Sequence, residues 1–176
     1  MNKLLATAGA IAVLALTSTP AAAVTPTTQA TATAKIYKPL QISFVQNLDF
    51  GTIVLTGSSF TGETVTLAPG GAVTCGTTSG DLTCSGAPQP AKYHLIGSNN
   101  AAVTVTSPGF NLSDGAGNNL AFVTVFTTPL SSTTGSVNLG STGAVDFSLG
   151  GTISGLSNTT PDGVYTGTFA VTADYQ

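Results

Sequence analysis

Apolar and polar residues alternate along most of this chain. From Tyr165 to Tyr175 the odd positions are Tyr165, Gly167, Phe169, Val171, Ala173 and Tyr175, and the even ones are Thr, Thr, Ala, Thr and Asp. In a strand successive side chains point to opposite faces, so period two predicts a half-buried strand over 165–175. The same alternation carries Val145, Phe147, Leu149 and Ile153 with Asp146, Ser148, Thr152 and Ser154 opposite, and Gly150-Gly151 predicts a bend or bulge between them. Shorter runs are Val65 and Leu67, Tyr93 and Leu95, and Val103 and Val105, each interleaved with polar residues. Leu120 to Phe126 is apolar at both parities and predicts a central strand covered on both sides. Turn-rich segments separate these runs, at 56–59, 69–71, 113–119, 131–135 and 158–163. About eight to ten strands and no amphipathic helix follow, which is the pattern of an antiparallel β-sandwich or barrel.

The N-terminal part differs. Lys3, an uncharged, mostly apolar run from Leu4 to Leu16, and the small residues Ala21-Ala22-Ala23 predict a secretory signal peptide over 1–23. The run falls short of the ~20 apolar residues that span a bilayer, and no integral span is expected after cleavage. The remaining 176 − 23 = 153 residues suit one domain. After a flexible tail, Ala30, Ala32, Ala34 and Ile36 alternate with Thr31, Thr33, Lys35 and Tyr37. Pro39 lacks a backbone donor, so the pattern divides into two extended pieces, about Thr28–Tyr37 and Leu40–Val45. The expected organisation is a signal peptide at 1–23, an N-terminal extension at 24–38 and a β domain at 39–176.

Composition narrows the function. Charged residues are 6% of the chain, there is no Arg or Trp, and the formal net charge is −3. After residue 23 the only basic side chains are Lys35, Lys38, Lys92 and the single His94. Nucleic-acid binding needs far more positive charge against phosphates. The two cysteines and one histidine cannot fill a four-ligand structural zinc site. In an exported chain Cys75 and Cys84 most simply form one disulfide that staples a loop or hairpin. By alternation His94 lies opposite the apolar face, as a surface or interface residue. Asp114 to Asn119 faintly suggests a calcium loop, but the further oxygen ligands and closing Glu of that pattern are absent, and a turn explains the same residues. The acid–base inventory is thin, so no enzyme, catalytic residue, cofactor or metal is expected.

Two segments, Leu48-Asp49-Phe50-Gly51-Thr52-Ile53 and the run from Gly163 to Tyr175, together resemble a family of secreted Gram-negative domains of unknown function. That family is itself similar to spore-coat-U-like and chaperone–usher pilin domains. The resemblance covers nearly the whole chain after residue 23. It implies an immunoglobulin-like, pilin-like β-sandwich that lacks one strand. It implies that a periplasmic chaperone fills the gap until the N-terminal extension of an identical subunit replaces it, building a fibre by β-strand addition. Ala30, Ala32, Ala34 and Ile36 are then the donor-strand candidates. Tyr165, Phe169, Val171 and Tyr175 line the C-terminal strand that contacts groove or chaperone. The expected role is a structural subunit of a surface fibre or coat, located in the periplasm, at the cell surface or outside the cell. The alternative is a self-contained secreted sandwich that binds a glycan or surface partner through its Thr/Ser/Asn/Gly-rich loops.

Overall fold

The structure, a computed structural model, describes residues 25–126 and 134–176. The expected signal peptide and most of the expected turn at 131–135 lie outside the described residues. The chain divides into a piece ending at Lys35 and a body from Ile36 to Gln176. Residues 25–39 are exposed and contain no strand.

The described residues are all-β, with twelve strands and no helix. The strands are β1 (Gln41–Gln46), β2 (Thr52–Leu55), β3 (Glu63–Leu67), β4 (Val73–Cys75), β5 (Leu82–Ser85) and β6 (Ala91–Ile96), then β7 (Ala102–Thr106), β8 (Phe110–Ser113), β9 (Asn119–Val125), β10 (Thr134–Asn138), β11 (Ala144–Leu156) and β12 (Thr172–Tyr175). All strand pairs are antiparallel. The largest sheet runs β1-β6-β11-β3-β4, with β9 also on β11 and β8 on β9; β10-β7-β12 form a second sheet and β2-β5 a third.

β11 is the hub. Its first half, Ala144 to Leu149, pairs with β6, and its second half pairs with β3 and β9. The change of partners falls at Gly150-Gly151. A Cβ on Gly150 would collide with the Leu67 carbonyl, and one on Gly151 with the Phe122 ring, so only glycine admits both neighbours. The hub also joins two cores. Leu149 packs with Leu95, Val103, Val105, Phe126 and Leu139, while Ile153 and Leu156 pack with Phe50, Phe60, Val65, Leu67 and Phe122. Burying each such side chain contributes roughly 1.5–3 kcal/mol.

Three expectations change. The long strand over 165–175 is a strand only from Thr172. Upstream, Thr166 makes one isolated bridge to Ser113, with both backbone bonds at 2.8 Å. The alternation survives without the ladder: Tyr165, Phe169, Val171, Ala173 and Tyr175 are half-buried and the even positions are exposed. β9 is central, between β8 and β11, but only its Leu120–Phe122–Thr124 face is buried. The cysteines form the expected disulfide, with Cα atoms 5.8 Å apart, and it closes a short loop; what the sequence did not show is that the loop is not a hairpin. Cys75 lies on β4, paired to β3, and Cys84 on β5, paired to β2, so the bond ties two sheets together.

Glu63 holds the loop inside that disulfide. Its buried carboxylate accepts hydrogen bonds from the Thr77 backbone N–H, from Thr77 Oγ1 at 2.9 Å and from the Thr78 N–H at 3.4 Å. The Thr77 backbone bond does most to hold the carboxyl below its ordinary value of 4.5, against an opposing effect of burial. A carboxylate lowered in the folded state stabilises at pH above its unfolded value, and that contribution is lost as pH falls through the lower folded value. Melting curves from neutral pH down into the acid range should therefore show a steep acid limb, shallower in Glu63→Gln. An unchanged limb would mean other carboxylates dominate.

Candidate functional site

Two places on the body combine exposure with unusual chemistry. The first lies between β1 and the C-terminal segment. β1 pairs only with β6, and β12 pairs only with β7, so each has one unpaired edge among the described residues. Residues on or next to the two strands meet at two places. At one end Tyr37 stacks on Tyr175, with ring centroids 4.3 Å apart. The Tyr175 hydroxyl donates to the Lys38 carbonyl at 2.8 Å and accepts from the Ser98 N–H at 2.7 Å, while the Lys38 N–H donates to Ser98 Oγ at 2.6 Å. Residues 37–40 thus cross from the β12 edge to the start of β1 as a strap. At the other end a cleft of about 180 Å³ is lined by Phe44, Leu48, Ala91, Tyr93, Thr168 and Phe169.

Between these ends the inward side chains are incompletely covered. Ile42 from β1, with Phe169, Val171, Ala173 and Tyr175 from the C-terminal segment, all pack against one core and all remain half-exposed. Phe44 is 60% exposed, a large aromatic on an edge strand. Apolar side chains in alternate positions beside unpaired N–H and C=O groups form a surface suited to one more strand.

The strap has a direct test. Tyr175→Phe removes the acceptor of the Ser98 N–H and the donor to Lys38. Amide exchange at Ser98 should speed up, with a loss of about 1–2 kcal/mol for two neutral hydrogen bonds. Unchanged exchange at Ser98 would show that the hydroxyl does not hold the strap.

The sequence-derived sites can now be placed. Tyr165, Phe169, Val171 and Tyr175 share the partly covered C-terminal segment; the last three join the core beside β1 and Tyr165 joins the other core. Phe169 stacks on Phe110 at 5.5 Å and on Phe122 at 6.0 Å, which carries the segment across both cores. Ala30, Ala32, Ala34 and Ile36 are exposed, Ile36 at 92%. The Asp114 turn is closed upon itself. Its carboxylate accepts from the Ala116 and Asn118 N–H groups at 2.8 and 3.1 Å and from Asn118 Nδ2 at 2.6 Å. The Asn118 side chain is the main reason that carboxyl is held below its ordinary value.

The second place is the outer face of the β1-β6-β11 sheet, where alternation had put His94. Register places Ser43 opposite His94 on one side and Asp146 opposite it on the other. His94 Nδ1 donates to Asp146 Oδ1 at 2.5 Å. Lys92 is opposite Ser148 in the same two central strands. On the opposite face the row is Phe44–Tyr93–Phe147, with Tyr93 and Phe147 stacked at 5.5 Å and Phe44 edge-on at 6.1 Å. Burial pushes the Tyr93 phenol above its ordinary value. Sequence reasoning placed His94 on the surface but missed its partners, because Ser43, His94 and Asp146 are brought together only by strand register.

Among the described residues no helix is long and apolar enough to cross a membrane. No curated protein matches the chain. The family model of a domain of unknown function, DUF4402, does match, over residues 40–175, from the end of the strap to Tyr175, and the chain therefore belongs to that family.

Proposed function

We propose that this protein is an exported structural subunit of a surface fibre or coat, assembling by β-strand donation. In this reading the body is an immunoglobulin-like, pilin-like sandwich with one strand position empty. The carrying observation is the pair of unpaired edges on β1 and β12, lined by half-exposed apolar side chains that share one core. A donated strand satisfies the edge hydrogen bonds and covers Phe44, Val171 and Ala173. The donor is Thr28–Tyr37 of a second copy, which spans about 33 Å when extended. Its knobs are Ala30, Ala32, Ala34 and Ile36, all exposed. A periplasmic chaperone occupies the position before assembly, and an usher mediates the exchange. The disulfide fits an oxidising compartment on the export route.

Deleting residues 25–36 tests this reading, because no strand of the body lies there. Unboiled gels of the intact protein should show a ladder that collapses on boiling, since exchange out of a filled groove is kinetically blocked. The truncated protein should melt within about 2 °C of the parent, as expected for exposed residues without core contacts, and give no ladder. A truncated protein that unfolds, or that still forms the ladder, would overturn the assignment of the donor.

A further inference from the structure

On the strand-donation reading, the point where the donor segment leaves its own body decides how successive copies meet. Ile36, the last donor knob, is 92% exposed. Tyr37, the next residue, is already fixed to its own body, with its ring stacked on Tyr175 at 4.3 Å. Lys38 follows, its carbonyl accepting from the Tyr175 hydroxyl and its N–H donating to Ser98 Oγ. The loops beside this strap are tied to each other. Gly97 N–H donates to the Gly143 carbonyl at 2.7 Å, Asn100 N–H to the Gly140 carbonyl at 2.6 Å and Asn99 Nδ2 to the Ser141 carbonyl at 2.7 Å. Consecutive Cα atoms are only ~3.8 Å apart. A donor seated up to Ile36 therefore leaves no slack between the neighbour's groove and the donor's own body.

The groove is also different at its two ends. β1 runs from the strap at Leu40 toward Phe44, and the C-terminal segment runs from Phe169 toward the strap at Tyr175, so the strap marks one end and the Phe44–Phe169 cleft the other. With Ile36 seated at the neighbour's strap, the two straps would face each other, each extension would start at the other's groove, and the pair would close as a dimer. An open fibre needs unlike surfaces in contact. That puts Ile36 at the cleft and sets the donor parallel to β1 and antiparallel to β12. The knobs from Ala30 to Ile36 span 36 − 30 = 6 residue steps, about 20 Å when extended. β1, at six residues, has nearly the same length. Ile36 is the one branched side chain among the knobs, and the cleft of about 180 Å³ has Phe44, Leu48, Tyr93 and Phe169 in its walls. We infer that in the fibre the strap of each body abuts the Phe44–Phe169 cleft of the next, with Ile36 filling that cleft, so that successive bodies meet at a stiff junction without a linker.

The test is a pair of cysteine cross-links and one insertion, in fibres from cells producing the full chain. Under mild oxidation, Ile36→Cys with Thr168→Cys, an exposed position on the cleft wall, should give a ladder that survives boiling and collapses only with reducing agent. Ile36→Cys with Gln41→Cys, beside the strap, should lose its ladder on boiling as the parent does. Inserting Gly-Ser-Gly-Ser between Ile36 and Tyr37 should leave fibres formed, lengthen their axial repeat by up to ~14 Å and make them bend freely in electron micrographs. The insertion changes no groove residue, so it decides alone if Ile36→Cys prevents assembly. A boiling-resistant ladder from the Gln41 pair, none from the Thr168 pair, or a repeat and stiffness unchanged by the insertion would overturn the junction and leave strand donation standing. A parent that gives no heat-sensitive ladder would overturn donation and the junction together.

Discussion

Phe122→Ala should lower stability by about 3–5 kcal/mol, the range for emptying a buried aromatic site. Phe122 is 2% exposed. Its ring meets Phe110 at 4.7 Å, Phe169 at 6.0 Å and Phe50 edge-on at 6.1 Å. It also covers Gly151 at the bend of β11. Truncation therefore leaves three aromatic neighbours without a common partner and removes the packing beneath the hub. The loss should appear as a fall of about 10 °C in melting temperature, taking a few degrees per kcal/mol for a domain of this size. A fall of less than about 2 °C would mean that Phe50, Phe110 and Phe169 close over the gap and that the hub does not depend on this ring.

Replacing both Cys75 and Cys84 by Ser should lower stability by roughly 2–3 kcal/mol, the chain-entropy value for so short a loop. The disulfide joins the sheet edge at β4 to the small β2-β5 sheet, whose only strand ladder is with itself. Without the bond that small sheet is held through Phe50, Ile53, Leu55 and Leu82 in the core and through the Glu63 nest. Loss should thus concentrate in residues 50–57 and 76–86, where amide exchange quickens first. Reducing agent on the parent protein should reproduce the double substitution. Equal melting temperatures for parent and double variant would show that the core alone fixes the small sheet.

The strands themselves were largely legible, because Thr, Ser and Asn alternate with Val, Leu and Phe and leave the core face plain. Val65 and Leu67, Leu95, and Val103 and Val105 are all deeply buried at the parity the sequence implies. Strand pairing was not legible. Alternation says which face of β11 is buried but not that one strand serves β6, β3 and β9, since that depends on where a backbone ladder finds a free edge. The same limit explains the C-terminal run. Its side-chain parity held from Tyr165 to Tyr175, but hydrogen-bond partners exist for a ladder only beside β7. The cysteines could be paired by count and compartment, while the fact that they join separate sheets required knowing that β4 follows β3 and β5 follows β2 in space. At the candidate sites, the apolar C-terminal positions were visible in sequence. The Lys92, His94 and Asp146 corner was not, since the latter two are 52 residues apart in the chain.

The place of β11 along the chain bears on when the protein can fold at all. β3, β6 and β9 each lack a principal neighbour until β11, the eleventh of the twelve strands among the described residues, is in place. Before then the chain can form the pairs β1-β6, β2-β5, β3-β4, β8-β9 and β7-β10, but not the ladders that join them into the large sheet. Late closure of this kind lengthens the time during which apolar strands stand without their central partner, and slow, long-range β pairing is the kind most prone to aggregate.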